Sequence, residues 1–321
     1  MRAKLNVLMA VFFLAMTFTW GAHAIWAAGY PDKAITIIVP FAPGAGTDLD
    51  ARGIVPYLEK YLGVPVKIEN IKGAEGKLGI TRLWRSKPDG YTLMIHTVAE
   101  TLMGDIVLPN VEYRTADLSH IGTFTRGNSI IVDHTDNWKT FPELAKTGRE
   151  RALIGGNPGK GSPSHFNAML LMKKAGVKVN WVPFSGAGEA LTALAGKHTE
   201  FSIHTAPSIL SLVKAGKIRP VVVLSEIKDN VFPDAPLAKE VGYDVEFLPV
   251  LRGLDGPPNM PEDVQQVLDK ALAQAVKDPG FVAWAQNRMS QVYYLNREEY
   301  NKLIKAHLKE LQENKDVLDA M

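Results

Sequence analysis

Two glycine-rich loops contain the residue types that could bind a small anion. The first covers residues 40–48 and the second residues 155–165, and each follows an apolar run and precedes a helical pattern. The first turn of a helix leaves backbone N–H groups without intrahelical partners, so such a loop can hold a carboxylate or a phosphate. If the two loops face each other, they could bind the two ends of one small anion.

Capping residues mark the helix that follows each loop. Thr47 and Asp50 have the spacing of a capping box, which predicts that Thr47 is the N-cap. Ser162 followed by Pro163 predicts a second helix that begins at the proline. The loops also have a purely structural interpretation, because glycines serve turns and Asp48 complements a helix dipole. The residues alone leave both interpretations open.

Nucleotide and metal sites have little support in the sequence. The third glycine of a dinucleotide fingerprint is replaced by Leu49, and Lys160 lacks the neighbours of a phosphate-loop lysine. The eight histidines are scattered, without the spacing of zinc ligands on a helix. We therefore predict neither a cofactor nor a metal.

A serine hydrolase is the alternative from a different class of function. Ser162 or Ser164 could act with His165 as nucleophile and base. A nucleophile elbow is not found, because Ser185 has Pro183 where the motif needs a glycine. We therefore expect a protein that is not an enzyme and has no catalytic residue.

The loops belong to a chain with the composition of an ordinary globular protein. Its 321 residues, 46% of them hydrophobic and 22% charged, are enough for two domains. The 36 basic and 34 acidic residues give a formal charge of +2, far from the balance that nucleic-acid binding requires. The absence of cysteine excludes disulfides and thiolate sites. We expect no nucleic-acid partner.

The first 24 residues have the pattern of a secretory signal peptide. Arg2 and Lys4 precede an apolar run of 16 residues from Leu5 to Trp20, and residues 22–24 read Ala-His-Ala, a typical cleavage site. An uncleaved anchor is the alternative, but the run is shorter than the roughly 20 residues that span a bilayer. Cleavage would leave 34 basic and 34 acidic residues. We predict a periplasmic protein.

Short apolar runs alternate with helical patterns from residue 34 onward, which predicts an α/β fold with parallel sheets. Residues 261–318 form an almost wholly helical tail. The chain has no low-complexity linker, so two lobes would be joined by short crossings that act as a hinge. The predicted strands cover residues 34–39, 64–69, 91–96, 130–133, 152–155, 177–183, 200–204 and 220–225.

The chain resembles a known family at both glycine loops and at landmarks between and beyond them. Residues 30–48 resemble the start of the mature solute-binding receptors of tripartite tricarboxylate transporters, which are Bug-type extracytoplasmic proteins. The resemblance spans essentially the whole mature chain in family order. Its further landmarks are residues 63–70, 87–93, 159–165, 182–186, 194–196, 232–236 and 253–258.

The resemblance implies a type II periplasmic-binding-protein fold of the Venus-flytrap form. Each lobe would be a mixed sheet flanked by helices, with a long helical C-terminal region. The expected division is a signal peptide over residues 1–24, lobe 1 over residues 30–126 plus 227–321, and lobe 2 over residues 127–226. Ligand binding would close the lobes by hinge motion.

The resemblance also implies the ligand site. In the family, backbone N–H groups, hydroxyls and ordered water hold a carboxylate between the lobes. The family positions carried over to this chain are Phe41, Ala42, Gly44, Ala45, Gly46, Thr47, Asp48, Thr97, Gly161, Ser162, Ser164, His165, Phe184, Ser185, Gly186, His204 and Thr205.

The implied function is capture of a small organic carboxylate and its delivery to the permease subunits of a tripartite transporter, by a monomeric receptor. The sequence does not separate transport from ligand sensing for a signalling partner. Phe41 and Phe184 would suit an aliphatic dicarboxylate, an aromatic acid or a neutral vitamin-like acid. Ala45, Glu75 and Ser185 depart from the family pattern. Asp48 would repel a carboxylate unless water or an ammonium group lies between them.

Overall fold

The computed structural model describes residues 29–159 and 161–321. The predicted signal peptide lies outside the described residues. The described strands are β1 (Ile35–Val39), β2 (Val66–Asn70), β3 (Thr92–Thr97), β4 (Ser119–Gly127), β5 (Ser129–His134), β6 (Leu153–Asn157), β7 (Val179–Pro183), β8 (Phe201–Thr205), β9 (Ile218–Leu224), β10 (Val250–Gly256) and β11 (Gln291–Val292).

Helices follow most of the strands, as the alternating pattern predicts. They are α1 (Gly46–Leu62), α2 (Lys77–Trp84), α3 (Val98–Val107), α4 (Phe141–Glu150), α5 (Pro163–Ala175), α6 (Ala187–Ala195), α7 (Ala206–Lys214), α8 (Glu262–Ala275), α9 (Pro279–Asn287), α10 (Arg297–Glu313) and α11 (Lys315–Asp319). Short 3₁₀ turns cover Ala74–Gly76, Thr115–Asp117 and Lys239–Val241.

The strands form two mixed sheets, one in each lobe. The first has the order β11-β4-β10-β3-β1-β2 and the second the order β7-β6-β8-β5-β9. In each sheet three neighbouring strands are parallel (β2-β1-β3 and β7-β6-β8), and the remaining pairs are antiparallel. The two-lobed α/β fold is therefore confirmed. The sequence reasoning missed β4, β10 and the two-residue β11.

The central strand of the first sheet shows why these runs become strands. Ile35, Ile37 and Ile38 of β1 are β-branched and at most 1% exposed, which suits a strand covered on both faces. α1 packs on this sheet and ends at Gly63, whose φ of 73° lies in the left-handed region that favours glycine. The carboxyl end of β1 therefore opens directly into the first loop.

The chain crosses between the sheets twice, and a buried arginine links the crossings. The first crossing joins β4 to β5 at Asn128, and the second is the irregular segment between β9 and β10. Arg126 donates hydrogen bonds to Glu226 at 2.5 Å, to Ser225 Oγ at 2.8 Å and to Asn128 Oδ1 at 3.3 Å. One guanidinium therefore fixes both crossings, as a hinge element would.

One hydrophobic cluster is shared by the two lobes. Phe166 and Leu170 of α5 pack with Leu102 of α3, and with Tyr300 and Ile304 of α10, and all five are buried. The amide of the neighbouring Asn167 exchanges two hydrogen bonds with the backbone of Leu248, at 2.8 and 2.9 Å. The N-terminal half of α5 is thus held against the first lobe.

Candidate functional site

Asp48 holds the first loop in place through three hydrogen bonds. Its Oδ2 accepts hydrogen bonds from the Gly44 N–H at 2.8 Å and from Arg52 Nε at 2.9 Å, while Oδ1 accepts one from Asn70 Nδ2 at 2.9 Å. Burial alone would raise the pKa of Asp48, but these hydrogen bonds hold it below its ordinary value. The carboxylate therefore keeps its charge and closes the turn at Gly44, whose φ is 81°.

The capping box predicted at the start of α1 is wrong. Ala45 is the N-cap residue, with extended backbone, and the helix begins at Gly46. Thr47 is thus inside the first turn, and its Oγ1 lies 3.2 Å from Oγ1 of Thr97, at the end of β3. Asp50 is engaged elsewhere and does not reach back to the cap. Thr47 and Thr97, both predicted site residues, therefore meet at the same edge of the first sheet.

Arg252 is a cleft residue that the sequence reasoning missed. It lies on β10, where its Nε donates to Asp50 Oδ2 at 2.7 Å and its Nη1 donates to Thr97 Oγ1 at 2.7 Å. Nη2 lies 3.3 Å from the position that a Cβ would occupy at Gly46. The guanidinium therefore brings a fixed positive charge to the N-terminus of α1, where the sequence predicted only amides and hydroxyls.

The second loop forms the helix start that the sequence predicts. Ser162 is the N-cap, with its Oγ accepting the His165 backbone N–H at 3.2 Å, and Pro163 is the first helical residue. Gly161 has a φ of 81°, in the left-handed region. Ser164 Oγ lies 2.9 Å from Ser129 Oγ, at the start of β5. Both serine hydroxyls thus have structural partners, which gives the hydrolase alternative no support.

The predicted histidines are buried in the second lobe. The ring of His165 packs edge-on against Trp181, with 5.2 Å between the ring centroids. His204 is 2% exposed, and burial lowers its pKa to about 4, so it is neutral at pH 7. His204 and Thr205 are consecutive residues of β8, so their side chains point to opposite faces of the sheet. Thr205 lines the smaller interlobe cavity.

The other predicted wall residues make hydrogen bonds within their own lobes. Ser185 binds Glu189 through its N–H at 3.0 Å and its Oγ at 2.7 Å. Phe41 is half-buried, and its carbonyl accepts a hydrogen bond from Asn70 Nδ2 at 3.1 Å. Ala42 is exposed, and its carbonyl accepts the Ala45 N–H at 3.1 Å. Ligand contact for these residues, and for Phe184 and Gly186, stays a prediction.

Two cavities open between the lobes. One, of about 220 Å³, is lined by Gly46, Asp50 and Arg252 of the first lobe and by Thr205 of the second. The other, of about 510 Å³, is lined by Gly161 and Ser162 of the second lobe and by residues of α3, α11 and the turn at Ala74–Gly76. The structure therefore divides four of the predicted site residues between two cavities that each lie between the lobes.

The described ranges contain no group of three histidine or acidic side chains that could hold a metal. Among the helices of residues 29–159 and 161–321, none combines the length and the apolar character needed to cross a bilayer. The arrangement of amides, hydroxyls and one arginine around the cleft can bind a small anion by hydrogen bonds and charge.

Two mixed sheets, two crossings and helix N-termini that open on an interlobe cleft define a two-lobed solute-binding protein. The chain belongs to the tripartite tricarboxylate transporter family of receptors, since the model of that family, "Tripartite tricarboxylate transporter family receptor", matches residues 51–318. Family membership and fold agree with the resemblance seen in the sequence.

Individual relatives support the same assignment. A UPF0065 protein encoded in the TAR-I ttuE-ttuC' intergenic region of Agrobacterium vitis is 30% identical over 275 residues, covering 84% of this chain and 79% of that protein. Protein BugT of Bordetella pertussis is 30% identical over 249 residues, covering 74% of each chain. Among solved structures, a ligand-free TctC solute-binding protein from Polaromonas has a TM-score of 0.81 at 25% identity, covering 91% of this chain and 100% of that one. MatC from Rhodopseudomonas palustris, with bound malate, has a TM-score of 0.69 at 27% identity, covering 90% and 100%.

Proposed function

We propose that this receptor captures a small organic carboxylate between its lobes and delivers it, in the periplasm, to the permease subunits of a tripartite transporter. One observation carries the proposal. The N-terminus of α1, with Thr97 and Arg252 beside it, and the N-terminus of α5, with Ser162, come from different lobes, and each lines a cavity between the lobes. Each end favours negative charge, so a ligand carboxylate between them stabilises the closed form.

A relative supports the ligand class. The structure of MatC contains malate, a small dicarboxylate, and MatC aligns with 90% of this chain at 27% identity. We infer that the lobes close by rotation at the two crossings that Arg126 links, with lobe 1 over residues 30–126 plus 227–321 and lobe 2 over residues 127–226. The receptor acts as a monomer, without a cofactor and without catalysing a reaction.

The test is a thermal-shift screen of the purified protein against mono-, di- and tricarboxylates, aromatic acids and amino acids. A ligand at about one hundred times its dissociation constant adds roughly 2.7 kcal/mol to the free energy of unfolding. Arg252→Ala should weaken binding of a ligand found in the screen. Replacement of Arg114 by alanine should not, because Arg114 is an exposed residue that pairs with Asp117 of the 3₁₀ turn Thr115–Asp117. A flat response from folded protein free of bound ligand would contradict the proposal.

A further inference from the structure

A third cavity, of about 370 Å³, lies at the second crossing. One wall is the irregular segment between β9 and β10, and the other is formed by α10 of the first lobe. The cavity shares no lining residue with either of the two interlobe cavities. It is therefore a separate place for a ligand, outside the cleft.

His307 of α10 lines this cavity although its side chain is almost completely enclosed. It is 3% exposed, and its Nδ1 has no hydrogen-bond partner among residues 29–159 and 161–321. Burial lowers the pKa of His307 to about 4; the charge of Glu226 acts against burial and that of Arg126 acts with it. The ring is therefore neutral at pH 7, with one nitrogen that donates a hydrogen bond and one that accepts. Buried polar groups are normally hydrogen-bonded, so the imidazole is a group that a bound ligand would satisfy.

Three carboxylates give the same cavity a negative charge. Glu226 accepts a hydrogen bond from Arg126 at 2.5 Å, and Asp244 lies 3.7 Å from Nζ of the exposed Lys239. Glu246 has no ion-pair partner within 4.0 Å in the part of the chain that the structure describes. Among the described residues, no lysine or arginine lines the cavity. The lining therefore favours a positively charged group and repels an anion.

The remaining lining is apolar, which restricts the kind of cation that fits. The described residues contain no group of three histidine or acidic side chains that could hold a metal ion, so a bare metal ion does not match this lining. An organic cation matches it, because its apolar body replaces water against the walls while its N–H groups donate to oxygen and nitrogen acceptors. The apolar lining residues are Val245, Phe247, Pro249, Leu303 and Ala306.

We propose that this cavity binds a small organic ammonium ion, a primary amine with an apolar body, whose N–H groups donate hydrogen bonds to Glu246 and His307. The apolar body lies between Phe247 and Leu303. Phe247 packs in the hydrophobic core of the second lobe, whereas Leu303 belongs to α10 of the first lobe. The bound amine therefore contacts both sides of the second crossing. The inference concerns a second site and does not depend on which solute the cleft captures.

Isothermal titration calorimetry with phenethylamine and phenethyl alcohol tests the inference. The two probes share one apolar body, and only the amine is charged at pH 7. The amine should bind at least about tenfold tighter than the alcohol, a difference of about 1.4 kcal/mol. Glu246→Gln should remove most of this preference, because it removes the charge and keeps the shape of the side chain. Glu298→Gln, at an exposed glutamate of α10 that pairs with Lys302, is the matched control and should leave binding unchanged.

NMR spectroscopy of protein with isotope-labelled histidine locates the bound amine. The ring signal of His307, identified by its loss in His307→Gln, should shift in a saturable way as phenethylamine is added, and the shift should disappear in Glu246→Gln. If His307→Gln does not fold, Glu246→Gln still tests the site, because it changes an exposed side chain.

Three results would each overturn the inference. They are equal binding of the amine and the alcohol, amine binding that Glu246→Gln leaves unchanged, and a His307 signal that does not move. A dissociation constant for the amine weaker than about 1 mM would overturn it as well. The proposed capture of a carboxylate is tested by other ligands and by Arg252→Ala, so failure of one proposal is distinguishable from failure of the other.

Discussion

Replacement of Asp255 by asparagine tests a buried charge network in the first sheet. Asp255 is fully buried on β10, where its Oδ1 pairs with His120 Nδ1 at 2.8 Å and its Oδ2 is contacted by His96 Nε2. Tyr300 of α10 donates to Oδ2 at 3.2 Å. Burial alone would raise the pKa of Asp255, but the two imidazoles hold it well below its ordinary value. The network therefore ties β3, β4, β10 and α10 together.

The structure sets the size of the expected effect. Removing one partner of a buried charged network costs about 3–5 kcal/mol, because the remaining groups lose their compensation. Tyr300→Phe removes only the hydrogen bond at 3.2 Å, so its loss should be near the lower limit for a bond to a charged group, about 1.5 kcal/mol. Asp255→Asn removes the charge, and Tyr300→Phe removes one hydrogen bond to it. Comparison of the two losses in the free energy of unfolding therefore separates the effect of the charge from that of this single contact.

Urea unfolding followed by tryptophan fluorescence provides the measurement. The pKa of Asp255 is lower in the folded protein than in the unfolded chain. Its contribution to the free energy of unfolding is therefore complete well above about pH 3.9, and it is lost as the pH falls below about 3.9 toward the folded pKa. Asp255→Asn should therefore lose stability at pH 7 and show a shallower decline than the parent below about pH 4. A loss under about 1 kcal/mol at pH 7, or an unchanged decline in acid, would refute the reasoning. If the asparagine variant does not fold, Tyr300→Phe still tests the network.

Three further predictions concern packing, the hinge and a cap. Gly253→Ala should destabilise the protein by about 1–3 kcal/mol in thermal unfolding, because the new Cβ would lie 2.0 Å from Tyr300 Oη. Arg126→Ala removes the hydrogen bonds that link the two crossings and should cost about 1–3 kcal/mol in urea unfolding, with a broader range of lobe separations in small-angle scattering. Ser162→Ala should cost about 1 kcal/mol and weaken ligand binding, whereas Thr140→Ala at the N-cap of α4 should cost a similar amount and leave binding unchanged.

The sequence predicted β1, whose apolar residues are β-branched and uninterrupted. It missed β4 and β10 because these strands bury polar side chains that satisfy one another. His120 of β4 and Asp255 of β10 are both at most 2% exposed and paired across the sheet, yet in the sequence they look like the residues of a surface loop. No periodicity of apolar residues could reveal a strand of this kind.

Because the sequence does not predict β10, it also does not predict that Arg252 reaches the site. Arg252 is on that strand and directly precedes the family landmark of residues 253–258, but only the antiparallel pairing with β3 places it opposite Thr97. The spacing of Asp50 from Thr47 fits a capping box, whereas in the folded protein Asp50 accepts a hydrogen bond from Arg252. A contact between residues 202 positions apart is a property of the folded sheet and cannot be read from local spacing.

Two acidic residues beside the first loop are each paired with an arginine. Asp48 and Asp50 carry negative charge beside the first loop, but each is neutralised by an arginine, so the N-terminus of α1 keeps its preference for an anion. Two aspartates next to a helix N-terminus therefore do not by themselves exclude an anion, because the arginine beside each one compensates its charge.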